Sequence, residues 1–422
     1  GEQKMKRLIH TPEGVRDIYG QECDKKRYLQ GQIEKLFRSY GYQSIETPSF
    51  EFFDVFSKGW GTISSKDLYK FFDREGNTLV LRPDFTPSIA RAVSMYFSEE
   101  NMPIRLCYEG SVFINNSSYQ GRAKESTQMG VEFLNEDSPE SDAEIISLVV
   151  STMKKAELSD FQVSIGSSDF FYSLVKEALM TENTIIELRK LLTIKNRFGA
   201  QELIEKLKLR TDLAKAFLQI SNLFGNSEIL LKAMELTENV RARAAICRLE
   251  KIHEILIAYG CEKFISYDLS LLSNYEYYTG IIFQAYTYGS GSAVIKGGRY
   301  NNCLEKFGKK APAIGFTTEV DSLLNAIERQ NIHLPIVDIK TMVLYPEHLE
   351  SLAIHCARLY RKKKLDVACI RFDPEKVLDD YQAYGKRNQF GEILYFNSET
   401  ELYAIDLSSG KIVPMDISIY CD

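Results

Sequence analysis

The sequence predicts an α+β protein with a mostly antiparallel sheet flanked by helices, and three observations support this prediction. Helical spacing of apolar residues is interleaved with short strand patterns over the first 330 residues. Strand patterns that follow one another closely, as around the turn 73–77, are typical of antiparallel hairpins. Residues 168–258 are almost wholly helical in pattern and short of Gly and Pro, which predicts an inserted helical subdomain.

The elements of the first 330 residues can be placed in chain order from apolar spacing and turn residues. We expect, in order, a helix over 22–40 stopped by Gly41, a strand entering a turn at Pro48, a hairpin around 73–77, a helix with Pro87 in its first turn, strands at 105–113 and 128–134, a helix from Ser138 and a strand at 161–167. Beyond the insertion, strands are expected at 265–272, 277–288 and 292–300, and a helix over 319–330.

A second domain is predicted after residues 331–335, the sequence NIHLP, which has the composition of a linker. Residues 336–422 then alternate strand and helix patterns, as in a small α/β domain. The basic run 361–364 falls at the predicted end of a helix, where cations oppose the helix dipole, so we interpret it as a solvated helix end.

Composition gives no support to several classes of function. The net charge is −6 and there is no basic stripe, so nothing favours a nucleic-acid partner. Eight cysteines without a CxxC pair and five histidines without an HExxH pair predict reduced thiols, a cytoplasmic location and no metal site. No apolar run reaches the roughly 18 residues that cross a bilayer, so no membrane partner is expected.

The stretch LRPDFTP, residues 81–87, carries polar side chains at alternate positions. Arg82, Asp84 and Thr86 would share one face if the stretch were extended. Two interpretations remain open from these residues alone: a ligand-binding face, or a strand with a polar solvent face.

Two later stretches have the same character. In QMGVE, residues 128–132, Gln128 and Glu132 lie on one face of the predicted strand. EYYTGIIF adds the aromatic pair Tyr277 and Tyr278. KGGRY adds two glycines, which by themselves indicate only that a strand can bend.

Taken together and in this order, these pieces resemble the catalytic core of histidyl-tRNA synthetase. The motifs that carry the resemblance are TPEGVRD, LRPDFTP, GRAKESTQMGVE, DLSLLSNYEYYTGIIF, GGRYNNCLEKFG and PAIGFTTEVDSLL, and they cover most of residues 8–328. The resemblance implies a class II aminoacyl-tRNA synthetase-like fold. It also implies a homodimer that forms through the region around ETPSF.

Three positions at which the synthetase carries an ATP-binding arginine are uncharged here, namely Ile114, Ser273 and Ser322. Arginine suits phosphate because its guanidinium group makes bidentate charged hydrogen bonds. At roughly 1.5–3 kcal/mol for each charged hydrogen bond, the three losses cost roughly 4.5–9 kcal/mol. We therefore expect no adenylation, no catalytic residues and no cofactor.

The amino-acid half of the synthetase site is retained. The positions that match it are Asp84, Thr86, Arg122, Gln128, Glu132, Tyr277 and Tyr278. Carboxylates suit an α-ammonium, and a carboxylate with a Tyr hydroxyl suits imidazole N–H groups. The resemblance thus implies a candidate histidine site, with the alternative that these residues persist as a packed polar core.

A synthetase-like chain without the ATP arginines resembles the regulatory-subunit family of ATP phosphoribosyltransferase. That resemblance implies a non-catalytic chain in a hetero-oligomer with the short-form catalytic subunit, which it activates, and feedback control by histidine in the first step of histidine biosynthesis. Two alternatives stay open: a histidine–tRNA ligase with unusual arginine placement, and a free-standing synthetase-like binding protein.

Overall fold

The computed structural model describes residues 9–57, 63–116, 123–272, 278–336 and 340–417. The chain divides into two compact units, Gly1–Leu334 and Pro335–Asp422. Arg122, Tyr277 and Ser273 of the candidate positions lie outside the described residues. Each unit is described by itself.

The first unit is built on a nine-stranded sheet in the order β1-β5-β6-β12-β11-β10-β7-β9-β8. The strands are β1 Gln43–Ser44, β5 Ile104–Phe113, β6 Glu125–Leu134, β7 Phe161–Ser167, β8 Phe224–Gly225, β9 Ile265–Asp268, β10 Ile281–Thr287, β11 Ile295–Arg299 and β12 Ala313–Glu319. The six consecutive strands from β5 to β7 pair antiparallel, while β1 with β5 and β7 with β9 pair parallel. The predicted antiparallel sheet is confirmed.

A separate three-stranded antiparallel sheet has the order β2-β4-β3. Its strands are β2 Phe50–Phe52, β3 Lys70–Phe72 and β4 Thr78–Leu81. The predicted hairpin is β3–β4, in which Asp73 accepts hydrogen bonds from the backbone and side chain of Asn77 across the turn. This local bonding explains why a turn prediction from sequence succeeds here.

Eleven helices of the described residues belong to the first unit. They are α1 Gly20–Ser39, α2 Phe53–Ser57, α3 Thr86–Tyr96, α4 Pro139–Lys155, α5 Ser168–Glu177, α6 Glu182–Thr193, α7 Arg197–Leu207, α8 Thr211–Ile220, α9 Glu228–Glu235, α10 Val240–Ala258 and α11 Val320–Arg329. Six of them, α5 to α10, make up the predicted helical insertion. The insertion also contributes the edge strand β8, which pairs with β9 and was not predicted.

The extended interpretation of LRPDFTP is wrong. Strand β4 ends at Leu81 and helix α3 begins at Thr86, so the stretch is a strand-to-helix turn. Arg82 does not share a face with the carboxylate of Asp84. It is buried, and its guanidinium group donates to the backbone oxygens of Thr47 and Ser111. Its role is to bond carbonyl groups that would otherwise be buried without partners.

A buried ion-pair network joins the sheet, helix α4 and the helical insertion. Asp142 of α4 has no solvent exposure and lies between two arginines. Its Oδ1 accepts from Arg299 Nε at 2.8 Å and its Oδ2 accepts from Arg248 Nε at 2.6 Å. Arg299, on β11, also donates to Ser141 Oγ and the Glu136 carbonyl. The arginine of the KGGRY stretch is therefore a buried structural residue.

The described residues of the second unit form a five-stranded sheet in the order β14-β13-β15-β16-β17 and two α-helices. The elements are β13 Lys340–Tyr345, α12 Glu350–Lys362, β14 Val367–Arg371, α13 Leu378–Arg387, β15 Phe390–Phe396, β16 Leu402–Asp406 and β17 Ile412–Met415. One core contains Cys356 of α12 and the other contains Tyr381 of α13. The basic run 361–364 is exposed at the end of α12, as predicted.

Within the described residues, no helix is long and apolar enough to cross a membrane, and no cluster of three His, Cys, Asp or Glu could hold a metal ion. The cysteines that the structure describes are all free thiols.

Candidate ligand cavity

Three neighbouring strands form the floor of a cavity on one face of the large sheet. In β6 the residues of this face are Gln128, Gly130 and Glu132, and their partners in β12 are Glu319, Thr317 and Gly315. On the next strand, Lys296 pairs with Thr317 and Gly298 with Gly315. Because side chains alternate along a strand, the register alone places these residues on one surface.

The cavity has a volume of about 390 Å³. Its described wall includes five of the predicted site residues, namely Asp84, Thr86, Gln128, Glu132 and Tyr278, and also Ile114. Ser322 lies in α11 and is not among the lining residues. The sequence analysis missed the other polar lining residues, which include Asp67, Asn116, Lys296, Tyr300, Thr317 and Glu319.

The strand-to-helix turn brings Asp84 and Thr86 to the cavity. The Asp84 carboxylate accepts from the backbone N–H of Thr86 at 3.3 Å, which fixes the turn before α3. The Thr86 hydroxyl then donates to Glu132 Oε1 at 2.9 Å. Two motifs that are 46 positions apart in the chain are thereby joined by one buried hydrogen bond.

Glu132 is the deepest acid of the cavity and is 1% exposed. The Tyr300 hydroxyl donates to its other oxygen, Oε2. Burial raises the pKa of Glu132 to about 8, although the hydrogen bonds from Tyr300 and Thr86 oppose this increase. A Cβ on Gly315 would overlap the Glu132 carboxylate, so the strand opposite must carry glycine here. The carboxyl group is held in place, and because burial disfavours its charge, a cation bound beside it would favour the ionised form.

Glu319 and Gln128 form a second polar pair, directly opposite each other on β12 and β6. Gln128 Nε2 donates to Glu319 Oε1 at 2.7 Å. Gln128 Oε1 is buried and accepts no hydrogen bond from the described residues. A buried acceptor without a donor is costly, so this oxygen is suited to a donor group from a ligand.

The described wall of the cavity is rich in carboxylates. Four of its residues are acidic, namely Asp67, Asp84, Glu132 and Glu319, and one is basic, Lys296. Burial raises the pKa of both Asp84 and Glu319 as well as that of Glu132. A bound cation stabilises the ionised form of a desolvated carboxyl group, whereas the negative charge of a phosphate chain would destabilise it. The arrangement therefore favours a ligand that brings ammonium or imidazole N–H donors.

The raised pKa of Glu132 predicts a pH dependence of stability. An acid with a higher pKa in the folded chain stabilises the fold fully below its unfolded pKa, near 4.5, and this contribution is lost as the pH rises towards about 8. Glu132→Gln removes the titration, so we expect the variant to lose less unfolding free energy than the wild type between pH 5 and 8, by about 3–4 kcal/mol.

Urea unfolding across that pH range measures the difference. Glu125→Gln is the matched control, because Glu125 lies on the same strand but is exposed. The prediction fails if the wild type and Glu132→Gln give parallel curves of stability against pH.

A larger cavity of about 850 Å³ lies beside the start of α1 and the start of α11. Several of its charged side chains already have partners. Lys26 Nζ lies 2.6 Å from Asp321 Oδ1, and Arg16 pairs with Glu22 near the rim. None of the predicted amino-acid-site residues that the structure describes lines it. The smaller cavity is therefore the candidate site.

Comparison with known proteins finds relatives that match most of the chain. The family model for histidyl-tRNA synthetase matches residues 14–323. A protein of Acetivibrio thermocellus named ATP phosphoribosyltransferase regulatory subunit is 38% identical over 359 residues, which are 85% of this chain and 86% of that protein. A protein of Ruminiclostridium cellulolyticum with the same name is 35% identical over 401 residues, 95% of each chain.

Solved structures give the same fold. The structure of an ATP phosphoribosyltransferase regulatory subunit/histidyl-tRNA synthetase from Bacillus halodurans C is 29% identical, with a TM-score of 0.83 over 92% of this chain and 98% of that one. Histidyl-tRNA synthetase from Nostoc sp. PCC 7120 is 18% identical, with a TM-score of 0.82 over 98% of each chain, a likeness of fold alone. The predicted class II synthetase-like fold is confirmed.

Proposed function

Because the chain belongs to the family of ATP phosphoribosyltransferase regulatory subunits, which have the fold of histidyl-tRNA synthetase, we propose that it performs no catalytic step of its own. It acts on a separate catalytic ATP phosphoribosyltransferase chain of the short form, which it activates. Histidine bound to the regulatory chain restrains that activity, as feedback control of the first step of histidine biosynthesis.

The charge of the cavity is the observation that carries the proposal. Four carboxylates and one lysine line the described wall, and Ile114 stands where the synthetase has an ATP-binding arginine. A triphosphate would add negative charge beside carboxyl groups whose own ionisation is already disfavoured by desolvation, as the raised pKa values of Asp84, Glu132 and Glu319 indicate. The same acids favour the ammonium and imidazole groups of histidine.

The imidazole and the α-ammonium of histidine each have a suitable partner among the described residues. The imidazole N–H suits Glu132, which Thr86 and Tyr300 hold by hydrogen bonds. The α-ammonium suits the unpaired Gln128 Oε1 and the adjacent Glu319 carboxylate. We propose that Arg122 and Tyr277, at synthetase-like positions, belong to the same site with Tyr278. Feedback follows if histidine has different affinities for the active and inactive states of the complex.

The small sheet offers a surface for self-association. Phe50 and Phe52 of β2 share one face with Phe71 of β3, because Phe52 and Phe71 both pair with Leu79. All three rings are exposed, and those of Phe50 and Phe71 are 5.8 Å apart. This phenylalanine surface contains part of ETPSF, the region through which we propose that two copies form a homodimer.

Ligand-dependent thermal unfolding tests the effector. A ligand at about 100 times its Kd stabilises the native state by about 2.7 kcal/mol. We expect histidine to raise the unfolding temperature and ATP with magnesium to leave it unchanged. Histidine-dependent exchange of pyrophosphate into ATP would contradict the proposal and favour a histidine–tRNA ligase.

Mixing this chain with a short-form catalytic subunit tests the partner. We expect co-elution and a rise in turnover that histidine reverses. Neither co-elution nor a gain in turnover would contradict the proposal and favour a free-standing binding protein.

A further inference from the structure

Lys296 occupies a position on the cavity floor that the synthetase-like motifs do not explain. It is the one exposed residue of β11, and side-chain alternation places it on the same face as Gly298 and Tyr300. Tyr300 bonds the Glu132 carboxylate and Tyr278 packs above Gly298. The lysine stem therefore begins on the same surface as the groups proposed to hold the imidazole.

Among the described residues, Lys296 is the only cation of the cavity wall, and none of the close ion pairs of these residues includes it. Its charge acts on the nearby Glu319, where it opposes the increase in pKa that burial causes. Its cross-strand partner is the uncharged Thr317, and Glu319 is the diagonal neighbour two positions further along β12. Diagonal neighbours across a sheet are about 7–8 Å apart and stay within reach of long side chains, so Lys296 and Glu319 lie close enough to hold the two ends of one small zwitterion.

The loss of arginine from the positions of Ile114 and Ser273 leaves fewer cations for the carboxylate of an amino-acid ligand. We propose that Lys296 binds the α-carboxylate of the amino-acid ligand, while Glu319 with Gln128 binds its α-ammonium and Glu132 its side chain. The inference rests on the proposed histidine site and deepens it. A lysine suits this role because its ammonium is a compact charge on a long flexible stem.

The assignment predicts a specific selectivity. With Lys296 in place, the cavity discriminates between an amino acid and the matching amine alcohol, since only the amino acid has a carboxylate. A charged hydrogen bond contributes enough free energy for a roughly 10- to 100-fold difference in affinity. Without Lys296, the two ligands should bind with similar affinity, because the contacts to imidazole and ammonium are unchanged.

Titration calorimetry with histidine and histidinol, on the wild type and Lys296→Met, measures this selectivity. We expect the wild type to bind histidine about 10- to 100-fold more tightly than histidinol. In Lys296→Met, the affinity for histidine should fall while that for histidinol is unchanged, so most of the preference is lost. Lys296→Arg should restore part of it. Lys310→Met is the matched control, because Lys310 is exposed and outside the cavity wall.

The outcomes separate the inference from the proposed function. Suppose that the wild type binds histidine, but Lys296→Met either lowers the affinities for histidine and histidinol equally or changes neither affinity. In both cases Lys296 does not bind the carboxylate, and the histidine site itself stands. If the wild type binds neither ligand at millimolar concentration, the histidine site itself fails and the role of Lys296 fails with it. Thermal unfolding of each variant shows that loss of binding does not come from loss of the fold.

Discussion

Replacing Asp142 with Ala should destabilise the first unit by about 3–5 kcal/mol, the cost of leaving a buried charge without its partner. Arg299 is 2% exposed; Asp142 Oδ1 accepts a hydrogen bond from its Nε and lies 2.7 Å from its Nη2. Asp142 also binds Arg248 of the helical insertion, so its removal leaves two guanidinium groups under-compensated. Replacement of the whole network by apolar residues is a different experiment and need not destabilise the chain.

The matched control is Asp137→Ala. Asp137 contacts the same two arginines, at 2.8 Å from Arg248 and 3.6 Å from Arg299, but its side chain is 44% exposed. Exposed pairs contribute about 0–1 kcal/mol, so we expect Asp137→Ala to destabilise the first unit by no more than about 1 kcal/mol for each pair. Urea unfolding followed by circular dichroism, which reports mainly the helix-rich first unit, measures both. Equal losses for Asp137→Ala and Asp142→Ala would contradict the buried-pair explanation.

The local part of the fold could be predicted from the sequence because local rules determine it. Alternation in QMGVE predicts that Gln128 and Glu132 face the same side, and β6 confirms this. The turn before Asn77 and the helix from Ser138 follow from side chains that bond their own backbone. Such contacts span a few residues, so the sequence itself contains both partners.

The charge pattern of the cavity could not be predicted in the same way. Glu319 meets Gln128 across 191 positions, and Lys296 joins the floor only through the register of β11 with β12. The pairing of β6 with β12 and that of β11 with β12 cannot be derived from periodicity, since the alternation within one strand does not show which other strand it pairs with. The alternation in AIGFTTE was the available signal for Glu319, but β12 was not predicted as a strand. The histidine-binding role of these residues remains a proposal.

LRPDFTP shows a second limit of alternation. Asp84 and Thr86 do face the cavity, yet they do so from a turn and a helix start rather than from a strand. Arg82, at the same spacing, is turned inward onto backbone carbonyls. Alternate spacing therefore predicted correctly that Asp84 and Thr86 lie together, but the extended strand assumed for them is absent. Arg82 has the same spacing and does not line the cavity, because its guanidinium group is buried against backbone carbonyl groups.

The double substitution Phe50→Ser with Phe52→Ser should dissociate the proposed homodimer. The two rings are 52% and 57% exposed in the single chain, whereas large aromatic side chains are usually buried in a partner when they cluster. In a symmetric dimer each substitution acts in both copies. A loss of about 1 kcal/mol for each of the four rings raises the dissociation constant by about a thousand-fold.

Sedimentation velocity at micromolar concentration measures this effect, with the wild type expected as a dimer and the double variant as a monomer. Phe72→Ser is the control, because Phe72 pairs with Thr78 and points to the opposite face of the same small sheet. Its ring is 72% exposed, so it is as apolar and as accessible as those it is compared with. Dissociation by Phe72→Ser, with a dimer retained in the double variant, would place the interface on the other face. A monomeric wild type would contradict the proposed homodimer. It would leave the proposed histidine site unaffected, because titration calorimetry tests that site on the isolated chain.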